Sequence, residues 1–247
     1  IKNYTDNVFT TASGNILTFN EIYQHISNIL SGLYSLGGQY DVAVIEELVH
    51  FSTIFEKYSY QGVPDVRVIV YKGYPAMAMT RLSTAESGGR ANLHQGAIGV
   101  GLDVVTGNSL CAVQHNKPIF VHPDTNADLL SIKVPFWREH LEIAAKAYEM
   151  TGLGYLGADI VLDRDKGPMM LELNARPGLA IQIANGRGLG NAIQKIEDGK
   201  LNSNLMSYYF QIARDHARTY DLIVFVFSSY SHLSISFSSQ LLVPNNG

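Results

Sequence analysis

Cysteine, charge and a continuous membrane-spanning run are all scarce or absent in this 247-residue chain. Cys111 is the only cysteine, so an internal disulfide is excluded, and its apolar neighbours favour a buried strand residue over a nucleophile. Charged residues make up 16% and the net charge is −4, which argues against the broad basic face that nucleic-acid binding needs. The first residues do not resemble a signal peptide. We therefore expect a cytoplasmic, globular protein without a nucleic-acid or membrane partner.

The last part of the chain, residues 221–247, differs in composition from the rest. It is apolar and rich in serine, with no Asp, Glu, Lys or Arg after Asp221. A transmembrane helix needs roughly 20 predominantly apolar residues, and the repeated serines disfavour one here. An edge pair of strands and a disordered, aggregation-prone end both remain open.

Apolar periodicity predicts a mixed set of helices and strands. Helical spacing predicts a helix over 19–36, ended by Gly37-Gly38, and an amphipathic helix over 137–150. Alternation over 64–71, followed by the turn signal Lys72-Gly73, predicts a hairpin that returns over 76–82. The other predicted elements are strands at 42–49, 109–113, 118–121, 157–162 and 169–173, a loop and strand over 88–101, and helices at 179–189 and 204–216.

Three oxygen-bearing side chains converge in the second predicted hairpin. Glu172 and Asn174 are two apart on one strand and therefore project from the same face. The turn over 163–167 folds Asp159 back beside them. Two carboxylates and an amide oxygen among apolar residues suit a hard cation such as magnesium. A solvent-facing hairpin edge is the alternative, and the apolar Leu171 and Leu173 argue that the opposite face is buried.

At this point the residues resemble a known family. The segment 171–178, Leu-Glu-Leu-Asn-Ala-Arg-Pro-Gly, preceded by Gly-Ala-Asp at 157–159, resembles the metal-binding end of the ATP-grasp ligases. Two further segments resemble the alpha-L-glutamate ligase-like branch: 90–96, Arg-Ala-Asn-Leu-His-Gln-Gly, and 64–67, Pro-Asp-Val-Arg. Enzymes of this branch add glutamate to the ends of peptides or proteins, including ribosomal proteins. The similarity covers roughly residues 20–195.

The resemblance implies a nucleotide site with the following positions. The segment 44–49 looks like a hinge at which Glu46, Glu47, Leu48 and Val49 hold adenine, although an ordinary strand ending in acids would have the same pattern. Asp65 matches a position that contacts ATP at the ribose. The remaining implied contacts to ATP come from the loop 87–96 and are Arg90, Asn92 and His94, of which His94 could equally be structural.

Three arginines are implied in the chemistry. Arg67 and Arg81 lie on paired strands and would neutralise triphosphate or acyl-phosphate charge with a bidentate guanidinium, or else be solvated strand residues. Arg176 departs from the glutamate-adding branch, where a small residue is common, and could bind a substrate carboxylate.

The resemblance also implies the fold and the reaction. The expected fold is α+β: an N-terminally incomplete ATP-grasp fold of two lobes with ATP between them. The lobes are expected at 1–49 and 50–200, followed by a helix and tail over 201–247. The implied cofactors are ATP and Mg²⁺, two ions, replaceable by Mn²⁺. The implied reaction joins a carboxylate to the amine of an amino-acid or peptide substrate through an acyl-phosphate, and oligomerisation stays open.

The family's phosphate-binding lysine strand and glycine-rich loop are expected upstream of the hinge and are not found. Lys2 lacks an apolar strand context, and Ser13-Gly14-Asn15 is at most a remnant. The alternative function is therefore a non-catalytic or degenerate nucleotide-binding module. Short glycine pairs at 99–101 and 186–188 lack the fingerprint of a dinucleotide site.

Overall fold

The computed structural model describes residues 3–11, 14–35, 37–43 and 49–199, and the backbone of two strands, Phe225–Ser229 and His232–Ser236. Over residues 1–199 the described residues divide into two compact units: those up to His50 belong to the first and those from Phe51 onward to the second. No helix in the described ranges has the length and apolar character needed to cross a membrane.

The first unit contains three short antiparallel strands and one helix. The strands are β1 (Asn3–Thr5), β2 (Val8–Thr10) and β3 (Ile16–Thr18), in that spatial order. Helix α1 (Phe19–Leu30) begins with a capping box, because the Thr18 side chain accepts from the Glu21 amide and Glu21 accepts from the Thr18 amide. The sequence did not predict the three strands, which are only three residues long.

Helix α1 is shorter than the predicted helix over 19–36. It ends at Leu30 because Gly32 adopts a left-handed backbone, with φ 79°, and such a residue stops helix propagation. The predicted strand over 42–49 lies mostly outside the described residues. At its start, Val42 is exposed and belongs to no regular element.

The second unit is built on a mostly antiparallel sheet with helices packed on its two faces. Among the described residues, nine strands form this sheet in the order β11-β12-β10-β9-β4-β5-β6-β7-β8. Their bounds are β4 (Asp65–Tyr71), β5 (Tyr74–Leu82), β6 (Ile98–Leu102), β7 (Ser109–Gln114), β8 (Lys117–Ile119), β9 (Tyr155–Asp163), β10 (Gly167–Asn174), β11 (Phe225–Ser229) and β12 (His232–Ser236). The α-helices are α2 (Trp137–Thr151), α3 (Ala180–Ala184) and α4 (Gly190–Glu197).

Both predicted hairpins are present. The β4–β5 turn is made by Lys72 and Gly73, whose φ angles of 49° and 84° give the left-handed pair that a two-residue hairpin requires. The predicted helix over 179–189 is shorter in the structure, where α3 ends at Ala184 before a turn at Gly186, and α4 begins only at Gly190, beyond the predicted range. The predicted helix over 204–216 lies outside the described residues, and the tail contains the strand pair β11–β12.

Each face of the sheet has its own core. Helix α2 covers one face and buries Leu141, Ala144 and Ala147 against strand residues such as Val68 and Ile160. Helices α3 and α4 cover part of the other face, where Ile181 and Ile196 pack with Met77 and Met79. The rest of this second face carries the charged residues described next.

Candidate functional site

Adjacent strands place the predicted site residues in register. Asp159 on β9 lies opposite Glu172 on β10 and opposite Arg67 on β4. Asp65 on β4 lies opposite Arg81 on β5. Because paired residues project from the same face of a sheet, the fold brings all five side chains to one face.

Asp159 is the centre of this group. Its side chain is only 3% exposed, and both carboxylate oxygens accept hydrogen bonds. The Arg67 Nε donates to Oδ1 at 2.6 Å and Nη2 to Oδ2 at 2.5 Å, which is a bidentate pair. Arg81 Nη2 also donates to Oδ2, at 2.9 Å. Two guanidiniums therefore share one buried carboxylate.

Asp65 completes the network from the other side. Arg81 Nε donates to Asp65 Oδ1 at 2.7 Å, and Arg81 Nη2 is also paired with Asp65 Oδ2. Arg67 and Arg81 are 13% and 16% exposed, so neither is the solvated strand arginine that the sequence left open. The result is an alternating chain of charges, Arg67–Asp159–Arg81–Asp65, with no net charge.

The pKa values of the two aspartates move in opposite directions. Burial acts to raise the pKa of Asp159, but the Arg81 and Arg67 guanidiniums outweigh it and hold this pKa below its usual value. Burial raises the pKa of Asp65, and Arg81 opposes this rise only in part. The two guanidiniums thus stabilise the ionised form of Asp159 more strongly than burial disfavours it.

Glu172 and Asn174 reach the face of Asp159 because of a β-bulge. The register shifts by one residue between Met170 and Glu172, so the extra residue, Leu171, is 44% exposed. The prediction that Leu171 and Leu173 share a buried face is therefore wrong for Leu171 and right for Leu173, which is buried. Asn174 Nδ2 donates to Asp159 Oδ2 at 3.3 Å.

These residues suit a hard cation in type and position. Asp159, Glu172 and Asn174 are adjacent on one face and offer only oxygen ligands. Asn174 uses its amide nitrogen towards Asp159, which leaves its amide oxygen for a cation. No described side chain donates a hydrogen bond to Glu172. Oδ1 of Asp159 accepts a hydrogen bond only from Arg67, so a cation bound at this oxygen would lie beside the Arg67 guanidinium.

Clusters of three or more His, Cys, Asp or Glu side chains close enough to share a metal do not occur among the described residues. The predicted triad contains only two residues of those types, Asp159 and Glu172, with Asn174 as the third. The triad therefore remains a prediction about metal binding, with its neighbouring placement established.

The loop containing Arg90, Asn92 and His94 lies on the same side of the sheet. Leu93, in a 3-10 helix (Leu93–Gln95), packs directly over Gly99, which is the register partner of Arg81. The Asn92 Oδ1 accepts from the His94 amide at 3.0 Å and so caps this short helix. Arg90 and His94 are exposed. The loop is thus beside the charged network, and its role towards ATP stays a prediction.

The segment after β10 crosses the sheet close to its surface. A side chain at Gly157 would place its Cβ 2.7 Å from Pro177, and one at Gly101 would place its Cβ 2.3 Å from the Ala184 carbonyl oxygen. Glycine at these two positions lets the segment and α3 lie flat on the strands. Arg176, within this segment, is exposed. The sequence indicated Gly157 only as part of a motif.

The remaining predicted positions belong to the expected hinge. Glu46, Glu47 and Leu48 lie outside the described residues. Val49 is half-buried and in no regular element.

Comparison with known proteins identifies the class. The sugar-transfer associated ATP-grasp family matches residues 1–198, that is 198 of the 247 residues. The chain belongs to this ATP-grasp family. No curated protein matches the chain. The ATP-grasp expectation is therefore confirmed at the level of the superfamily, while the match is to the sugar-transfer associated family rather than the glutamate ligase-like branch.

Proposed function

We propose that the chain is an ATP- and magnesium-dependent ligase that joins a carboxylate to an amine. The observation that carries this proposal is the placement of Asp159, Glu172 and Asn174 on one face, with Arg67 and Arg81 in contact with the same carboxylate. Membership of an ATP-grasp family supports ATP as the energy source. Three oxygen ligands and two guanidiniums are what a metal-bound triphosphate needs.

Each group has a defined part in the proposed reaction. Asp159, Glu172 and Asn174 would hold Mg²⁺, which neutralises phosphate charge. Arg67 and Arg81 would bind the transferring phosphoryl group, and Arg90 and Asn92 would contact the nucleotide from the loop. Arg176, exposed beside this face, would bind a substrate carboxylate.

The proposed chemistry has two steps. A carboxylate oxygen attacks the γ-phosphorus of ATP and the bond to the β-phosphate oxygen breaks, which yields an acyl-phosphate and ADP. The amine nitrogen then attacks the acyl carbon, loses a proton, and releases inorganic phosphate. No protein nucleophile is needed, which agrees with the lack of a serine or cysteine nucleophile motif.

The substrates are the least constrained part of the proposal. The resemblance of segments 64–67 and 90–96 favours glutamate as one substrate. The family name associates its members with sugar transfer, which favours an acceptor whose amine is carried by a sugar. Both classes belong in the same assay.

A second candidate function is a non-catalytic nucleotide-binding module. It is favoured by one observation, that both oxygens of Asp159 are already paired with guanidiniums. In such a module the network would serve only to stabilise the sheet, and nucleotide would bind without turnover.

The decisive experiment measures magnesium-dependent ADP release with amino-acid, peptide and amino-sugar acceptors, for the wild type and for Glu172→Gln. The ligase proposal predicts acceptor-dependent release that falls at least about tenfold in the variant, since mutations at a metal site typically cost about 10–100-fold. Acceptor-stimulated release that is the same in both proteins would refute it. Nucleotide binding without any release would favour the non-catalytic module.

A further inference from the structure

We propose that Arg67 changes its ion-pair partner when ligand binds: it pairs with Asp159 in the ligand-free protein and with nucleotide phosphate in the bound state. As a result, the metal binds well only together with nucleotide. This inference rests on the proposed function, because it assumes that Asp159 ligates a metal that carries triphosphate.

The first argument is occupancy. Oδ2 of Asp159 accepts from Arg67, Arg81 and Asn174, whereas Oδ1 accepts only from Arg67. A cation at Asp159 would therefore bind at Oδ1, directly beside the Arg67 guanidinium. Arg67 competes with the metal there, both for space and through its positive charge.

The second argument concerns which arginine moves. Arg81 is fixed from two sides, by Asp159 and by a bidentate contact to Asp65. Among the described residues, Asp159 is the only side-chain partner of Arg67. Arg67 therefore loses only one partner when it moves away from Asp159. Movement of Arg81 would also leave the buried carboxylate of Asp65 without its guanidinium partner.

The third argument is charge. The four side chains Arg67, Asp159, Arg81 and Asp65 sum to zero, so the ligand-free network is balanced. A bare divalent cation would add two positive charges next to two guanidiniums, which is unfavourable in a poorly solvated site. A metal–triphosphate complex adds a net negative charge and offers phosphate oxygens to Arg67 in place of Asp159. The complex therefore brings negative charge to the two guanidiniums, whereas the bare cation brings only positive charge.

The test is binding of Mn²⁺ alone, followed by electron paramagnetic resonance, to the nucleotide-free protein. Wild type should bind Mn²⁺ weakly. Arg67→Gln should bind it on the order of tenfold more tightly, within the usual range of coupling between two sites. Arg67→Lys, which keeps the charge, should remain weak. The gain should disappear in the double variant Arg67→Gln with Glu172→Gln, which locates the metal.

A matched control separates this effect from overall charge. Arg164→Gln removes a guanidinium from the exposed β9–β10 turn, where Arg164 pairs with Asp165, and should bind Mn²⁺ as wild type does. An equal gain in Arg164→Gln, tight binding by wild type, or no gain in Arg67→Gln would each overturn the proposal.

A second measurement uses the unaltered protein, in case Arg67→Gln does not fold. In ¹⁵N-arginine-labelled protein, Mg²⁺ alone should leave the Nε–H signal of Arg67 unchanged, while Mg²⁺ with a non-hydrolysable ATP analogue should shift it. A shift with Mg²⁺ alone would overturn the exchange. If no protein binds the metal–nucleotide complex, the proposed function fails, and the Mn²⁺ comparison still reports whether Arg67 masks Asp159.

Discussion

At the scale of single residues, Asp159 has a structural role as well as its proposed ligand role. It is buried and forms ion pairs with both Arg67 and Arg81, so its removal should destabilise the fold even without any ligand. Breaking a buried ion pair by removing one partner costs about 3–5 kcal/mol. The role of Asp159 is therefore testable by stability alone.

We predict that Asp159→Asn lowers the free energy of unfolding by about 3 kcal/mol at pH 7. The folded-state pKa of Asp159 lies below its usual value, so this stabilisation is present above about pH 4, the pKa of an unfolded aspartate, and is lost as the pH falls through the folded pKa. The difference between wild type and variant, measured by urea denaturation, should shrink from pH 7 to pH 3. A difference that does not change with pH would contradict this account. Glu149→Gln, on the exposed side of α2, is the control.

His140 makes a second prediction about pH. Its ring is buried, Nδ1–H donates to the Phe136 carbonyl at 2.9 Å, and Nε2 has no partner among the described protein atoms. Burial lowers the pKa of His140, so as the pH falls this residue is protonated in the unfolded chain before it is protonated in the folded protein. The free energy of unfolding therefore decreases as the pH falls below about 6.5. In His140→Phe this loss between pH 7 and pH 5 should be smaller, as measured by urea denaturation. The exposed His25→Gln should behave as wild type, and an unchanged pH dependence in His140→Phe would refute the assignment.

At the scale of secondary-structure elements, two β-bulges decide where the site residues lie. With the two-residue turn at Lys72-Gly73, an unbroken ladder would pair Asp65 with Thr80. The register shift between Ile69 and Val70 pairs it with Arg81 instead. The shift between Met170 and Glu172 likewise places Glu172, rather than Leu171, opposite Asp159.

These bulges explain what could be predicted from sequence and what could not. Alternation and turn residues predict the strands and both hairpins, because they depend on local chemistry. The triad was predicted from the spacing of Glu172 and Asn174 together with a family motif. The Arg81–Asp65 pair was not predicted, since a one-residue bulge has no clear sequence signal and changes the face of every later side chain. The Arg67–Asp159 pair was not predicted because it depends on the pairing of β4 with the distant strand β9, which local sequence patterns do not specify. The three short strands of the first unit were missed for lack of periodicity.

The glycines under the segment 175–186 give a prediction at this scale. Gly101→Ala should destabilise the protein by about 1–3 kcal/mol, the usual cost of overpacking, because the new methyl group would meet the Ala184 carbonyl and push α3 away from β6. Thermal unfolding followed by circular dichroism measures this. Gly154→Ala is the matched control, since a Cβ added there would meet no atom within 4 Å and its backbone is unstrained. Equal stability of the two variants would show that the packing of α3 on β6 does not depend on a glycine at position 101.

At the scale of the whole molecule, the charge balance predicts how ligands affect stability. The network neutralises itself without a metal, so we expect the protein to be folded in the presence of a chelator. Magnesium alone should raise the melting temperature little. Magnesium with ATP should add about 2.7 kcal/mol at a hundredfold excess over the dissociation constant, which differential scanning fluorimetry would report as a clear shift. A large shift with magnesium alone would contradict this expectation.

The central claim is that Asp159, Glu172 and Asn174 form the metal part of an ATP site. Its most direct test is isothermal titration calorimetry of the magnesium–ATP-analogue complex with wild type and Glu172→Gln. Glu172 is the best position because no described side chain donates to it, so the variant should stay folded. The account predicts binding by wild type and a loss of affinity of at least about tenfold in the variant. Equal affinity in two equally stable proteins would contradict it.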